Sequence, residues 1–232
     1  MLILAIDTAL DVCAAAVLDT EAGKVIAQES QGMKRGHAEA LMPLIARVVA
    51  ASGTAFASLG RIAVTTGPGS FTGLRVGLSA ARGIALAANI PAVGVTTLAA
   101  FAAPLVSQNA ENPIISAIDA RHDHVYLQVV SGNGSALVRP LVAPITEALG
   151  AWRFGAPHLV GNAAGILAER WTSHAAAPIS VDAQPAPDIS WVGWLGAAVN
   201  PNTAPARPFY LRAPDAKPSR EPLHGAVPPA SE

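Results

Sequence analysis

The stretch that most constrains the fold is residues 61–88, RIAVTTGPGSFTGLRVGLSAARGIALAA. Residues 61–66 form a short β-branched run. Gly67-Pro68-Gly69-Ser70 then takes the chain out of extended geometry, because these residues supply the φ values that a tight turn needs. A helix follows from Gly73, rich in Leu, Ala and Val on nearly every face and therefore buried on most sides, with Ser70 or Thr72 placed to cap it. Arg75 and Arg82 share one stripe of that helix, and Gly73, Gly77, Ala80 and Ala81 form a stripe of small residues. Glycine inside a soluble helix costs about 1 kcal/mol relative to alanine, so two of them four residues apart predict that a neighbouring helix or another chain packs unusually close.

The turn excludes two chemistries. A P-loop needs Gly-Lys-Ser/Thr after its first glycine, and here Gly73 is followed by Leu74 and Arg75. A serine-hydrolase elbow needs glycine two residues either side of the serine, and Ser70 is flanked at those positions by Pro68 and Thr72. Anion binding on the backbone amides of the helix start and a plain strand-to-helix turn share the same sequence needs, and the plain turn is the simpler reading.

A chain of 232 residues is long enough for two lobes that each bury a core. Its 51% hydrophobic and 13% charged fractions lie far from the disordered class. Fifteen basic against 16 acidic residues leave a formal charge of −1, so no global field attracts a phosphate backbone and a free-standing tRNA binder is disfavoured. Cys13 is the single cysteine, which excludes an intramolecular disulfide and a thiolate metal cluster; its apolar setting reads as a small buried hydrophobe. The first residues lack a basic n-region and reach Asp7 after a very short apolar run, which reads as a first strand and not as a signal peptide. An uncharged run over 83–110 is interrupted by Asn89, Pro91, Gly94, Thr96 and Thr97, so it reads as helix end, strand and helix, with no membrane span.

Taken in order, residues 1–6, 12–18 and 24–29 predict a three-stranded meander, followed by a helix over 36–51 with Leu41, Leu44, Ile45 and Val48 on one stripe. Pro43 lies in the second turn of that helix, which predicts a late start or a bend. After the strand, turn and helix described above come a strand over 91–95 and a helix over 97–106. The pattern then restarts. Residues 114–118 end at Asp119 in Ala-Ile-Asp-Ala, echoing Ala5-Ile6-Asp7-Thr8, and a hairpin over 125–142 turns at Gly132-Asn133-Gly134. Weaker signals give a short helix over 146–151, a strand over 158–160, a turn at Gly161-Asn162 and a helix over 163–171. The fold class is therefore α/β, two tandem β-β-β-α-β-α lobes with the second curtailed. The divisions are a first lobe over 1–106, a second over 107–200 that includes a short helix over 191–199, a strap over 201–212 returning to the first lobe with buried aromatics, and a flexible tail over 213–232. Trp152, Trp171, Trp191 and Trp194 read as second-lobe core.

The segment GPGSFTGLRVGLSAARGIAL resembles the signature of the bacterial TsaB family, also called YeaZ. LILAIDTA, RGHAEALMPLI, AIDARHDHVYL and PFYLR follow the family's order, so the likeness covers most of residues 1–212, densely in the first half and sparsely in the second. It implies the actin-like and sugar-kinase ATPase superfold, a cytoplasmic location, and a non-catalytic subunit required for N6-threonylcarbamoyladenosine formation in tRNA. The partners it implies are a TsaD-type transferase that performs the transfer, a TsaE-type ATPase that docks on the pair, and tRNA reached only through the complex, with self-pairing when the transferase is missing and no cofactor of its own. The TsaD family carries two histidine metal ligands just after the strand that follows the glycine-turn helix; Thr97 and Phe101 stand there, and neither replaces imidazole, so no metal site is expected.

Within that superfold Asp7 and Asp119 end the strands where a kinase or ATPase holds magnesium and phosphates. Asp7 and Thr8 are accordingly candidates for a vestigial phosphate loop, although the adjoining turns lack the glycines that let backbone amides approach phosphate. The bland alternative has each aspartate ending a strand and bonding its own turn. His122 and His124 offer paired imidazoles without a nominated third ligand, and a solvated turn is the simpler reading. The expected partner surface comprises His37, Leu41, Leu44, Ile45 and Val48 with Gly73, Leu74, Arg75, Gly77, Ala80 and Ala81, joining the partner in a four-helix bundle; the alternative for Gly77 is that it faces its own lobe. Rival functions are a small-molecule kinase or ATPase of the same superfold and an inactive glycoprotease-like protein.

Overall fold

The computed structural model describes residues 1–108, 111–171 and 176–212, so the expected tail over 213–232 lies outside the described residues. Strands β1 (Leu2–Asp7), β2 (Val12–Asp19) and β3 (Lys24–Gly32) form an antiparallel meander. Helix α1 (His37–Ser52), strand β4 (Leu59–Gly67), helix α2 (Phe71–Ala88) and strand β5 (Ala92–Thr96) follow, with β4 and β5 joining in parallel to give the order β3-β2-β1-β4-β5. Helix α3 (Thr97–Ser107) leads to the second lobe, β6 (Ile114–Asp119), β7 (His124–Val130), β8 (Ala136–Pro144), α4 (Ile145–Ala148), β9 (His158–Val160), α5 (Ala164–Glu169) and β10 (Ser180–Asp182), after which comes helix α6 (Ile189–Ala198). Its sheet order is β8-β7-β6-β9-β10, the first sheet repeated position by position. The two lobes share one topology, the second with shorter helices and with β9 and β10 reduced to three residues each.

The first lobe forms where the sequence pattern points. β1 and β2 are buried nearly throughout, as an apolar run with no alternation requires of a central strand. Leu41, Leu44, Ile45 and Val48 recur at helical spacing and bury against β2 and β3. Pro43 is accommodated inside α1 without delaying its start at His37. Ser70 caps α2 by accepting from Gly73 N at 3.3 Å, and Asn89 ends it in the left-handed region at φ 53°.

Three expectations change in the second half. β10 is a fifth strand that the sequence reading omitted. The helix expected over 146–151 is one α-turn, α4, followed by a 3-10 segment, Leu149–Phe154. Most consequentially, α6 does not belong to the second lobe: Ile189 and Val192 pack on the first sheet with Ile3, Ala5, Ala16, Ala63 and Val93. Gly193 and Gly196 permit that approach, since a Cβ on either would overlap Leu18 or Ala63. Arg61, projecting from β4, donates through Nη1 to the carbonyls of Gly196, Ala197 and Val199 at 2.7, 3.0 and 2.9 Å, and so satisfies carbonyls at the end of α6. Trp194 therefore packs on the first-lobe sheet, while Trp171 joins the second-lobe core.

Beyond α6 the chain crosses the first lobe. Gly94 N donates to Ala204 O at 2.9 Å, Val93 pairs with Pro205, Arg82 Nε donates to Ala206 O at 2.7 Å and Phe209 N donates to Thr66 O at 2.8 Å. This strap covers the otherwise open edge of β5. Its aromatics are not both buried as expected: Tyr210 is 43% exposed.

Candidate functional site

A cleft of about 470 Å³ lies between the lobes, bounded by the turn after β1, the start of α2, the turn after β6, Asn162 and strap residues 209–212. The two strand-end aspartates meet it differently. Asp7 is fully buried and absent from the cleft wall. Its Oδ1 accepts from Thr65 Oγ1 at 2.6 Å and Ala9 N at 2.9 Å, while Oδ2 has no hydrogen-bond partner among the described residues. Burial pushes its pKa above the ordinary carboxylate range, against the opposing pull of the hydrogen bonds from Thr65 and Ala9 and of His37.

The glycine turn explains how Asp7 is sealed. Ser70 N donates to Ala9 O at 2.7 Å, and Thr8 Oγ1 donates to Gly73 O at 2.7 Å. A Cβ at Gly69 would overlap Ala9 O, one at Gly73 would overlap Thr8 O, and one at Gly77 would overlap Thr8 Oγ1. The close neighbour predicted from the small-residue stripe is thus the loop after β1 of the same lobe, not another chain. Thr8, equally buried, spends its hydroxyl on α2, so Asp7 and Thr8 are not placed to hold a cofactor in the cleft.

Asp119, at the matching end of β6, is exposed and lines the cleft. Its Oδ1 accepts from Arg121 N at 2.7 Å and its own N–H donates to Asn162 Oδ1 at 2.9 Å. Arg121, His122 and Asp123 all adopt left-handed backbone, with φ of 61°, 51° and 55°, a conformation that costs non-glycine residues about 1 kcal/mol or more each. Ala120 N to His124 O, Ile145 N to Asp123 O and the Arg170–Asp123 ion pair hold the turn. His124 Nδ1 donates to His122 O, and among the described residues no three His, Cys, Asp or Glu side chains converge as a metal cage. Sequence reading placed Asn162 in a turn and missed its contact with Asp119. The available signal was its place directly after β9, the strand beside β6. Thr97 and Phe101 are buried within α3.

The predicted partner surface divides on inspection. Leu41, Leu44, Ile45, Val48, Leu74 and Ala81 are at most 2% exposed and fill their own lobe, and Gly73 and Gly77 face Thr8, so these residues are not partner anchors. His37 braces the β1–β2 turn, its Nε2 donating to Leu10 O at 3.0 Å. What α1 and α2 present outward is a groove of about 520 Å³ with Ala38, Met42, Arg75, Val76, Ser79 and Ala80 along it. Met42 is 48% exposed. At one end Arg75 lies 3.8 Å over the Phe71 ring, and Tyr210 of the strap stacks on the same ring at 5.4 Å with a 33° tilt.

A family model described as TsaD, tRNA N6-adenosine threonylcarbamoyltransferase, matches residues 23–198, most of the chain. The tRNA threonylcarbamoyladenosine biosynthesis protein TsaB of Escherichia coli K12 is 38% identical over 126 residues, 54% of this chain and 53% of that protein. An uncharacterized protein of Mycobacterium tuberculosis H37Rv is 31% identical over 93% of this chain and 94% of its own length. The structure of YeaZ from Pseudomonas aeruginosa superposes with a TM-score of 0.75 at 27% identity, covering 90% of this chain and 99% of that one. The chain belongs to the TsaB/YeaZ family. It spans about half the length of the TsaB-named relatives it matches. The segment that resembles the family signature, residues 67–86, seats α2 on Thr8 and Ala9, and its Gly69, Gly73 and Gly77 serve that packing. Among the described residues no helix is long and apolar enough to cross a membrane.

Proposed function

We propose that this chain is a non-catalytic subunit required for N6-threonylcarbamoyladenosine formation in tRNA, and that it supports a TsaD-type transferase by pairing with it. The observation that carries the reading is the sealing of Asp7: α2 lies over Thr8 and Ala9 through three glycines, leaving no approach for phosphates at the strand end where an ATPase of this superfold would hold them. Pairing uses the outward groove between α1 and α2, with Met42, Val76 and Ala80 as apolar contacts and Arg75 on the rim. A TsaE-type ATPase docks on the pair, and tRNA is engaged through the complex in the cytoplasm. The balanced charge of this chain supports no gel shift of tRNA at physiological salt by the chain alone.

The test is a threonylcarbamoyl-transfer assay on tRNA in which each protein is omitted in turn. Loss of transfer without this chain is expected, and full transfer in its absence would overturn the assignment. The exposed Asp119 in the cleft favours the rival kinase or ATPase reading. Micromolar binding of magnesium-ATP by calorimetry together with turnover on a candidate substrate would establish it.

A further inference from the structure

The cleft and the α1–α2 groove are separate openings on the surface, yet they share a wall. Phe71 and Thr72, the first two residues of α2, line both. Phe71 is half-buried, and its ring carries one contact from each side of that division: Tyr210, which lines the cleft, and Arg75, which lines the groove. Arg75 stands four residues after Phe71, hence on the same face of α2, and is an exposed residue whose guanidinium lies over the ring. Tyr210 is held by the strap, whose neighbouring Phe209 donates from its backbone to Thr66 O and whose Ala206 carbonyl accepts from Arg82.

We propose that Tyr210 positions the rim of the α1–α2 groove through Phe71 and Arg75, so that docking in the groove and seating of the strap on α2 are coupled. The inference rests on the reading that a TsaD-type transferase docks in that groove. An aromatic ring contacted on behalf of two openings has few rotamers compatible with both, so freeing the Tyr210 contact releases Phe71 and with it the guanidinium that Phe71 supports. Coupling of this kind is reciprocal: a partner that draws Arg75 off the ring weakens the strap, and a ligand in the cleft that displaces Tyr210 weakens the partner's hold. The phenol hydroxyl plays no part in it. Tyr210→Phe therefore preserves the coupling and Tyr210→Ala removes it.

Two measurements decide the matter. In the free chain, the Nε–H proton resonance of Arg75 reports the Phe71 ring directly. Tyr210→Ala should move it towards the value of an unstacked arginine, while Tyr210→Phe should leave it in place; an unmoved resonance in Tyr210→Ala overturns the proposal. For the pair, calorimetry with the TsaD-type transferase should show affinity falling three- to tenfold in Tyr210→Ala and holding in Tyr210→Phe. The same Tyr210→Ala change made on Arg75→Gln, an exposed position that leaves the fold intact, should cost much less than on the wild type. Equal losses in both backgrounds would mean that the strap acts without Arg75 and would also overturn it. Should the transferase fail to bind the wild-type chain, the pairing reading is what falls, and the Arg75 resonance still judges the strap.

Discussion

Asp7 and Asp119 close equivalent strands of two equivalent sheets, in the near-identical contexts Ala-Ile-Asp-Thr and Ala-Ile-Asp-Ala, and they end in opposite environments. Asp7 lies under the start of α2 with one carboxylate oxygen unpartnered; Asp119 stands in the cleft and holds its own turn. The strand and the aspartate are common to both lobes, so neither decides the outcome. The following helix does. In the first lobe the glycines of α2 bring its backbone onto the loop after β1, whereas the second-lobe helix α5 is six residues long and leaves the Asp119 turn open. Packing alone thus buries the strand-end aspartate in one copy of a duplicated fold and leaves it open in the other, with the residue itself unchanged.

The contrast is broken most severely at Gly73. Adding a methyl group there drives it into the Thr8 carbonyl, a backbone atom with nowhere to move. Gly73→Ala should cost about 3 kcal/mol and lower Tm by roughly 6–12 °C, read by thermal melts. A wild-type melt would mean that α2 lifts readily off the loop and that the first-lobe site can open.

Asp7→Asn sharpens the comparison through pH. The folded state holds the Asp7 proton after the unfolded chain has released its own near pH 4, so wild-type stability falls as pH rises from about 4 towards the raised folded-state value. Asparagine lacks that slope. Denaturant unfolding at several pH values should therefore show Asp7→Asn gaining on the wild type as pH rises, and parallel curves between pH 4 and 8 would show that Asp7 ionises freely in place. The smallest effect is expected at the open copy: Asp119→Ala removes one hydrogen bond in an exposed turn, about 0.5–1 kcal/mol, read by thermal melts. A loss as large as that at Gly73 would make the Asp119 turn a structural keystone of the second lobe.

Much of this was legible in the chain. The apolar runs, the Asp-ended strands and the capped glycine helix located the first lobe and its duplicate, because buried central strands and caps are written in local sequence. The small-residue stripe announced a close approach, but periodicity names a face and never the neighbour, and the neighbour was Thr8, 65 positions away from Gly73. The same limit misplaced Leu41, Leu44, Ile45 and Val48 on a partner surface: an apolar helical stripe is equally what a helix needs to cover its own sheet. α6 is apolar on nearly every side, which marks it as buried and carries no direction, so its lobe was unreadable. β10 is three exposed residues, Ser-Val-Asp, too short to alternate. Asn162 was visible as a turn residue, and its bond to Asp119 N exists only because β9 lies beside β6.

The crossing of α6 onto the first sheet sets an order on the birth of the molecule. Ile3, Ala5 and Ala16 leave the ribosome long before α6, the helix that packs on their face and the last of the described helices. Arg61 must likewise wait for carbonyls 135 to 138 positions downstream. While the second lobe is being synthesised, that face of the first sheet has α3 but not yet α6 to cover it, so the first lobe is completed only after the second has been made.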